Sequence, residues 1–219
     1  MSSKTKSNEP LGTFIVLEGI DGSGTTTQAH KLAAILHEEG YDPLVTAEPT
    51  RGPVGLLLRR FLIKDIPFGD EEYPPSMMTL LFSADRLFHV SREIEPALKR
   101  GEVVICDRYA LSTCAYQATE ETEVAWIEDV GRHALVPDIT VVLLLDPKIG
   151  LERVANRDLK REFYENLECQ QRVDKNYRQL LLENRPNVVS VNATQSIDAV
   201  AEDILAAVRP FLNKSCAHS

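Results

Sequence analysis

The sequence predicts an α/β fold, a five-stranded parallel sheet with helices on both faces. Three observations carry this. Short apolar runs recur at 13–18, 44–47, 102–106, 140–145 and 187–191. Helical patterns separate each run from the next, and parallel strands joined by helices are covered on both faces and read as unbroken apolar segments. The first run leads at once into a glycine-rich turn and a helix start, FIVLEGIDGSGTTTQ over residues 14–28.

The elements follow in order. Residues 1–11 are polar and read as a disordered leader, and 214–219 as a tail, which leaves one domain over 12–213. Residues 25–39 pattern as the first helix, with Ala29, Leu32, Ala33, Ile35 and Leu36 in its apolar run and Gly40 at its end. Pro53 opens a second helix to residue 63. Pro74 and Pro75 open a long helical stretch to about Arg100, stopped by Gly101. Segments 109–118 and 122–134 are helical. Segment 148–183 is charged and helical, with a break near Asp158. Val200, Ile204, Leu205 and Val208 mark a last amphipathic helix over 197–211. No internal repeat or low-complexity linker interrupts the series. In such a sheet the functional loops sit at the carboxyl ends of the strands.

Composition narrows the function. A chain of 219 residues buries a full core without staples. A net charge of −9 and a pI near 5.1 argue against a nucleic-acid polymer as partner. Cys106, Cys114, Cys169 and Cys216 show no C-x-x-C spacing, and a reducing cytoplasm is the simplest reading. The longest apolar runs are strand length, which predicts no membrane span.

Gly19-Ile20-Asp21-Gly22-Ser23-Gly24-Thr25-Thr26 fits the phosphate-binding pattern G-x-x-x-x-G-K-[ST] at every place but one. Such a loop wraps backbone N–H groups around phosphate oxygens at a helix N-terminus, where the helix dipole also favours anions. Thr26 stands where a hydroxyl ligates Mg²⁺. Thr25 stands where a lysine meets the β- and γ-phosphates. Loss of that cation costs about 2–4 kcal/mol, by analogy with removal of one preorganised donor. The alternative is a plain strand-to-helix turn, against which the apolar strand before and the amphipathic run after the loop both argue.

Two further constellations stand out. The strand over 102–106 ends in Asp107-Arg108-Tyr109. A carboxylate at that end orients Mg²⁺ or its waters, and the adjacent guanidinium grips a phosphate. A surface Asp–Arg pair capping a helix is the alternative. Upstream, Phe82 and Arg86 are four apart and share a helix face. A ring and a guanidinium on one face suit a flat base, although such a pair is more commonly core and surface.

The segments GIDGSGTTTQ, EPTRGPVG at 48–55, LLFSADR at 80–86, DRYALSTCAYQ at 107–117 and ERVANR at 152–157 occur in the order found in thymidylate kinases, and the chain resembles that family from about Phe14 to Leu212. The resemblance implies the P-loop nucleoside monophosphate kinase fold with a mobile lid over about 153–166, ATP and dTMP as substrates, Mg²⁺, dTDP and ADP as products, and a cytoplasmic homodimer. It implies an acceptor pocket of Glu48, Phe82, Arg86, Arg108, Thr113, Tyr116 and Gln117. In that pocket Phe82 stacks on thymine, Arg86 contacts the base edge and Tyr116 obstructs a 2′-hydroxyl. Asp21 lies near the acceptor, Asp107 orients Mg²⁺ and Arg108 clamps phosphate. Ala47 replaces an arginine frequent in the family, and Arg51 is the nearby substitute. Gly22 leaves the loop without an arginine, so the lid supplies the catalytic cation from among Arg153, Arg157, Lys160 and Arg161. The rival readings are a kinase for another nucleoside monophosphate and a non-catalytic nucleotide-binding protein lacking the lysine. A regulatory GTPase needs an N-K-x-D motif, which the sequence lacks.

Overall fold

The structure, a computed structural model, describes residues 12–67, 73–155 and 164–212. Five strands form one sheet: β1 (Thr13–Gly19), β2 (Pro43–Ala47), β3 (Val103–Asp107), β4 (Ile139–Leu144) and β5 (Val188–Asn192). The order is β2-β3-β1-β4-β5 and every pairing is parallel. All five match the apolar runs to within about a residue. The chain passes from β3 to β4 across β1, so the strand order switches at β1 and opens a crevice beyond its carboxyl end. The register fills that crevice. Asp107 pairs with Leu17 on one side and Ala47 on the other, and Gly19 pairs with Leu143. The glycine loop, Glu48 and Asp107-Arg108 therefore emerge side by side.

The helices are α1 (Thr25–Glu38), α2 (Pro53–Leu62), α3 (Pro75–His89), α4 (Glu95–Lys99), α5 (Ala110–Gln117), α6 (Val124–Gly131), α7 (Pro147–Ala155), α8 (Leu167–Leu182) and α9 (Ile197–Val208). Successive side chains of β1 go to opposite faces. Ile15 and Leu17 join Ala29, Leu32 and Leu36 of α1 and Val200, Ile204 and Val208 of α9. Phe14 and Val16 join Ile94, Ala97 and Leu98 in a second cluster. Local chemistry sets the helix starts. Pro53 and Pro75 occupy first-turn positions. Asn166 and Ser196 cap α8 and α9, accepting from Cys169 N at 2.9 Å and Ala199 N at 3.2 Å.

The long helix expected to reach Arg100 differs in one respect. A π-helical turn spans Val90–Ile94 between α3 and α4. Pro96 has no N–H to give to the preceding turn, and the widened turn lies just before it, with Glu95 N bonding Val90 O. The expected leader, tail and break near Asp158 lie outside the described residues.

One buried contact ties α3 to the loop after β2. Asp85 is fully buried. It accepts hydrogen bonds from Thr50 N at 2.7 Å and Thr50 Oγ1 at 2.6 Å. Asp85→Asn points an amide N–H at one of these donors. Urea unfolding is expected to show a loss of about 1–3 kcal/mol. A variant as stable as the parent means that this loop is held by other contacts.

Candidate active site

A cavity of about 720 Å³ opens at the carboxyl end of the sheet. Its wall includes Asp21, Gly22, Gly24, Thr25 and Thr26 of the glycine loop, Glu48, Phe82 and Arg86, and Asp107, Arg108, Thr113, Tyr116 and Gln117. The residues singled out in three separate stretches of sequence thus face one space. Ile20 lies in the core instead, and Gly19 and Ser23 form the loop behind the wall. Ser23 Oγ is buried without a partner among the described residues.

The loop is shaped by close backbone approach. Gly22 has φ +78°, and a Cβ there would lie 2.2 Å from Gly150 O of α7. A side chain at position 22 is excluded on both counts. Arg153, also on α7, donates to Gly22 O at 3.3 Å and Ala193 O at 3.4 Å. It braces the loop from outside the cavity wall. Arg157, Lys160 and Arg161 lie outside the described residues.

Thr26 Oγ1 donates to Asp107 Oδ2, and the other carboxylate oxygen, Oδ1, is buried without a partner among the described residues. No cluster of three or more His, Cys, Asp or Glu side chains suited to a metal is found among them. One hydroxyl and one carboxylate oxygen beside a phosphate loop fit Mg²⁺, which keeps waters and takes its other ligands from substrate phosphates.

Arg108 joins the loop to β3. It donates to Gly19 O at 2.6 Å and Asp21 Oδ1 at 2.7 Å, and lies 5.2 Å from the Tyr116 ring centroid. Its φ is +69°, a strained conformation for a non-glycine residue and a common mark of functional sites. Burial opposes its charge, but Tyr116 and Asp21 carry the net shift upward, so it stays cationic. Tyr116 Oη also donates to Asp21 Oδ1, at 2.9 Å.

Glu48 and Arg86 form a buried pair. Arg86 Nε donates to Glu48 Oε2 at 3.0 Å, and Nη2 donates to Tyr109 O at 2.9 Å and Thr113 Oγ1 at 2.8 Å. Burial opposes the charge of Arg86, and Glu48, with Tyr109 and Glu18, together more than offset it. Nη1 makes no hydrogen bond among the described residues. His89 Nδ1 lies 3.1 Å from Glu48 Oε1, and its Nε2 lies 3.1 Å from Glu93 Oε2. Arg51 is exposed and is not brought to the cavity wall. Arg59 of α2 stands there instead, with Nε 3.4 Å from Thr50 O.

Glu18 was not singled out in the sequence, although a carboxylate within an apolar strand is a visible anomaly. It is fully buried. It accepts from Tyr109 N at 2.9 Å, Ser112 N at 3.0 Å, Tyr177 Oη at 2.9 Å and Ser112 Oγ. These bonds anchor the start of α5. Arg59, His89, Tyr164 and Gln170 were also missed, and no local pattern marks them. Cys106 and Cys114 are buried thiols, Cys114 pushed by burial up to about 12, so neither is a nucleophile.

The family model described as thymidylate kinase matches residues 17–204. A probable thymidylate kinase of Pyrococcus horikoshii is 42% identical over 198 residues, covering 90% of this chain and 96% of that protein. A thymidylate kinase of Ruegeria pomeroyi is 36% identical over 210 residues, covering 93% and 98%.

Glu18 generates a pH prediction. Burial is the largest influence and raises its pKa above the ordinary value, although Ser112, Arg108 and Tyr177 pull the other way. The folded state therefore binds this proton more tightly than the unfolded chain. Stability falls as pH rises from about 4.5, the unfolded value, through the raised folded value. Urea unfolding of the parent and of Glu18→Gln across that window should show their difference moving in favour of Gln as pH rises. A pH-independent difference rules out the raised carboxyl.

Proposed function

The chain belongs to the thymidylate kinase family, and on that premise we propose that this cavity transfers the γ-phosphoryl group of ATP to dTMP, giving dTDP and ADP. One observation carries the reading. A phosphate loop with an adjacent hydroxyl–carboxylate pair, Thr26 and Asp107, faces an aromatic–guanidinium pair, Phe82 and Arg86, across one cavity. That spacing of chemistries suits a triphosphate on one side and a flat base on the other.

In this reading the glycine loop holds the ATP phosphates with its N–H groups at the start of α1. Bound Mg²⁺ neutralises charge on the phosphates, and Thr26 and Asp107 would hold it. Arg86 offers Nη1 to the base edge and Phe82 stacks on the ring. Tyr116 occupies the space where a ribose 2′-hydroxyl would project. A dTMP phosphate oxygen forms the new bond to the γ-phosphorus as the bond to the β–γ bridging oxygen breaks. Arg108 lies beside Asp21 to stabilise charge on the transferred group. Arg59 supplies the acceptor-side cation for which Arg51 was the sequence expectation.

The remaining expectations are part of the same proposal. Residues 12–213 form one kinase domain with a lid over about 153–166. The lid supplies the cation that Thr25 lacks. The protein is a cytoplasmic homodimer that engages no nucleic-acid polymer or membrane. Exposed Leu56 on α2 and Leu80, Leu87 and Phe88 on α3 support an apolar contact between copies. No helix among the described residues is long and apolar enough to cross a membrane.

Incubation with ATP, Mg²⁺ and each of dTMP, dUMP, dCMP and UMP is expected to yield dTDP most efficiently and the UMP product least. Folded, ATP-binding protein that makes no dTDP at high concentration overturns the assignment. Arg86→Ala should lower kcat/KM for dTMP by about 5- to 150-fold, the equivalent of about 1–3 kcal/mol for an unpaired base edge. The KM for ATP should change little. Equal weakening of both substrates makes Arg86 structural.

Compensation for Thr25 has its own test. Neutralising Lys160 or Arg161 should lower kcat with little change in the KM for dTMP, the mark of a contact made mainly in the transition state. Thr25→Lys in that background should recover part of the rate, because both cations act on the same charge. If kcat stays within about twofold, about 0.4 kcal/mol, the lid does not compensate.

A further inference from the structure

We propose that Gln170 is the positioning residue that sets the catalytic orientation of Asp21 and couples it to the segment beginning at Tyr164. Gln170 lies in the first turn of α8 and is fully buried. Among the described residues its side-chain amide makes three hydrogen bonds. Oε1 accepts from Asp21 N at 3.0 Å. Nε2 donates to Asp21 Oδ2 at 2.7 Å and to Tyr164 O at 3.0 Å. Both the backbone and the carboxylate of one glycine-loop residue are therefore held by a side chain 149 positions away.

The residue type follows from these partners. One acceptor and two donors are required at the same point, and only a primary amide offers both without charge. Turning the amide over would set N–H against N–H and oxygen against two oxygens, so its orientation is determined. A glutamate here would face the Asp21 carboxylate as a like charge. An apolar side chain would remove these bonds to Asp21 N, Asp21 Oδ2 and Tyr164 O.

The consequence falls on the reacting end of the cavity. Asp21 Oδ1 is occupied by Arg108 and Tyr116. With Gln170 on Oδ2, the carboxylate cannot rotate, and the Arg108 guanidinium is held at a fixed place. Tyr164 reinforces the same unit. Its ring meets Tyr116 edge-on at 5.3 Å, and its hydroxyl exchanges hydrogen bonds with the Gln117 amide at 3.1 and 3.2 Å. The acceptor wall, the glycine loop and the start of α8 thus meet at one amide. This role rests on the phosphoryl-transfer reading given above.

The test uses the full chain and three forms of it: parent, Gln170→Leu and Gln170→Glu. The parent is expected to form dTDP. Gln170→Leu is expected to lose about 10- to 100-fold in kcat, the scale of small misplacements of reacting groups. Its KM values for ATP and dTMP should stay within about threefold of the parent. Gln170→Glu places two carboxylates together, with Arg108 and Tyr116 the other groups facing Asp21. One carboxyl of the pair then titrates high. This variant should be impaired near pH 8.5 and regain part of its rate relative to the parent toward about pH 6, where the single O–H of a protonated Glu can donate to Asp21 Oδ2 in place of the amide. Gln170→Leu should show no such recovery, and a merely structural defect would not depend on pH in this way. If both variants keep kcat within about threefold, Gln170 does not position Asp21 and the assigned activity stands. If kcat falls while both KM values rise together and Glu shows no recovery, the residue only packs α8. If the parent makes no dTDP, the assigned activity fails and the positioning role fails with it.

Discussion

Arg108 reaches from the end of one strand to the loop that follows its neighbour. Its guanidinium bonds Gly19 O and the Asp21 carboxylate, while its own N–H bonds Leu17 O at 2.9 Å. That joint is possible because β1 and β3 are adjacent, parallel and aligned so that Leu17 pairs with Asp107. A shift of one residue in this register would turn Asp107 and Arg108 to the opposite faces. The hydrogen bond between Thr26 and Asp107 would be lost together with the ion pair.

The acceptor side is built on the same logic of buried charge held by full pairing. Glu48 and Arg86 are each almost wholly buried. Isolated, either ion would be costly there, and breaking such a pair is far worse than never forming it. Tyr109 O, Thr113 and His89 satisfy the remaining groups on the protein side. Among the described residues Arg86 Nη1 makes no hydrogen bond, and Arg86 stands at the cavity wall.

The glycine loop shows how one missing cation changes the neighbourhood without changing the frame. Thr25 keeps the helix start and stays buried at the cavity wall. Gly22 cannot carry a side chain, because α7 lies against it at Gly150. Position 22 is therefore closed to a cationic side chain. Arg108 is the cation bonded to the loop, through Gly19 O and the Asp21 carboxylate.

The order of strands and helices, the phosphate loop and the pairing of Phe82 with Arg86 were legible in the sequence, because each rests on local rules. Parallel strands covered on both faces read as apolar runs, positive-φ turns call for glycine, and residues four apart share a helix face. The resemblance in five ordered segments indicated what the site handles. Arg51 shows where local reasoning stops. Proximity in the loop suggested it, but α2 turns Arg59 to the cavity and leaves Arg51 exposed. Gln170, Tyr164 and His89 carry no pattern of their own, since a glutamine in a charged helix looks like any surface residue. Their meaning comes from long-range packing: α8 lies against α5 beside the glycine loop, and there a buried neutral amide meets one N–H and two oxygens.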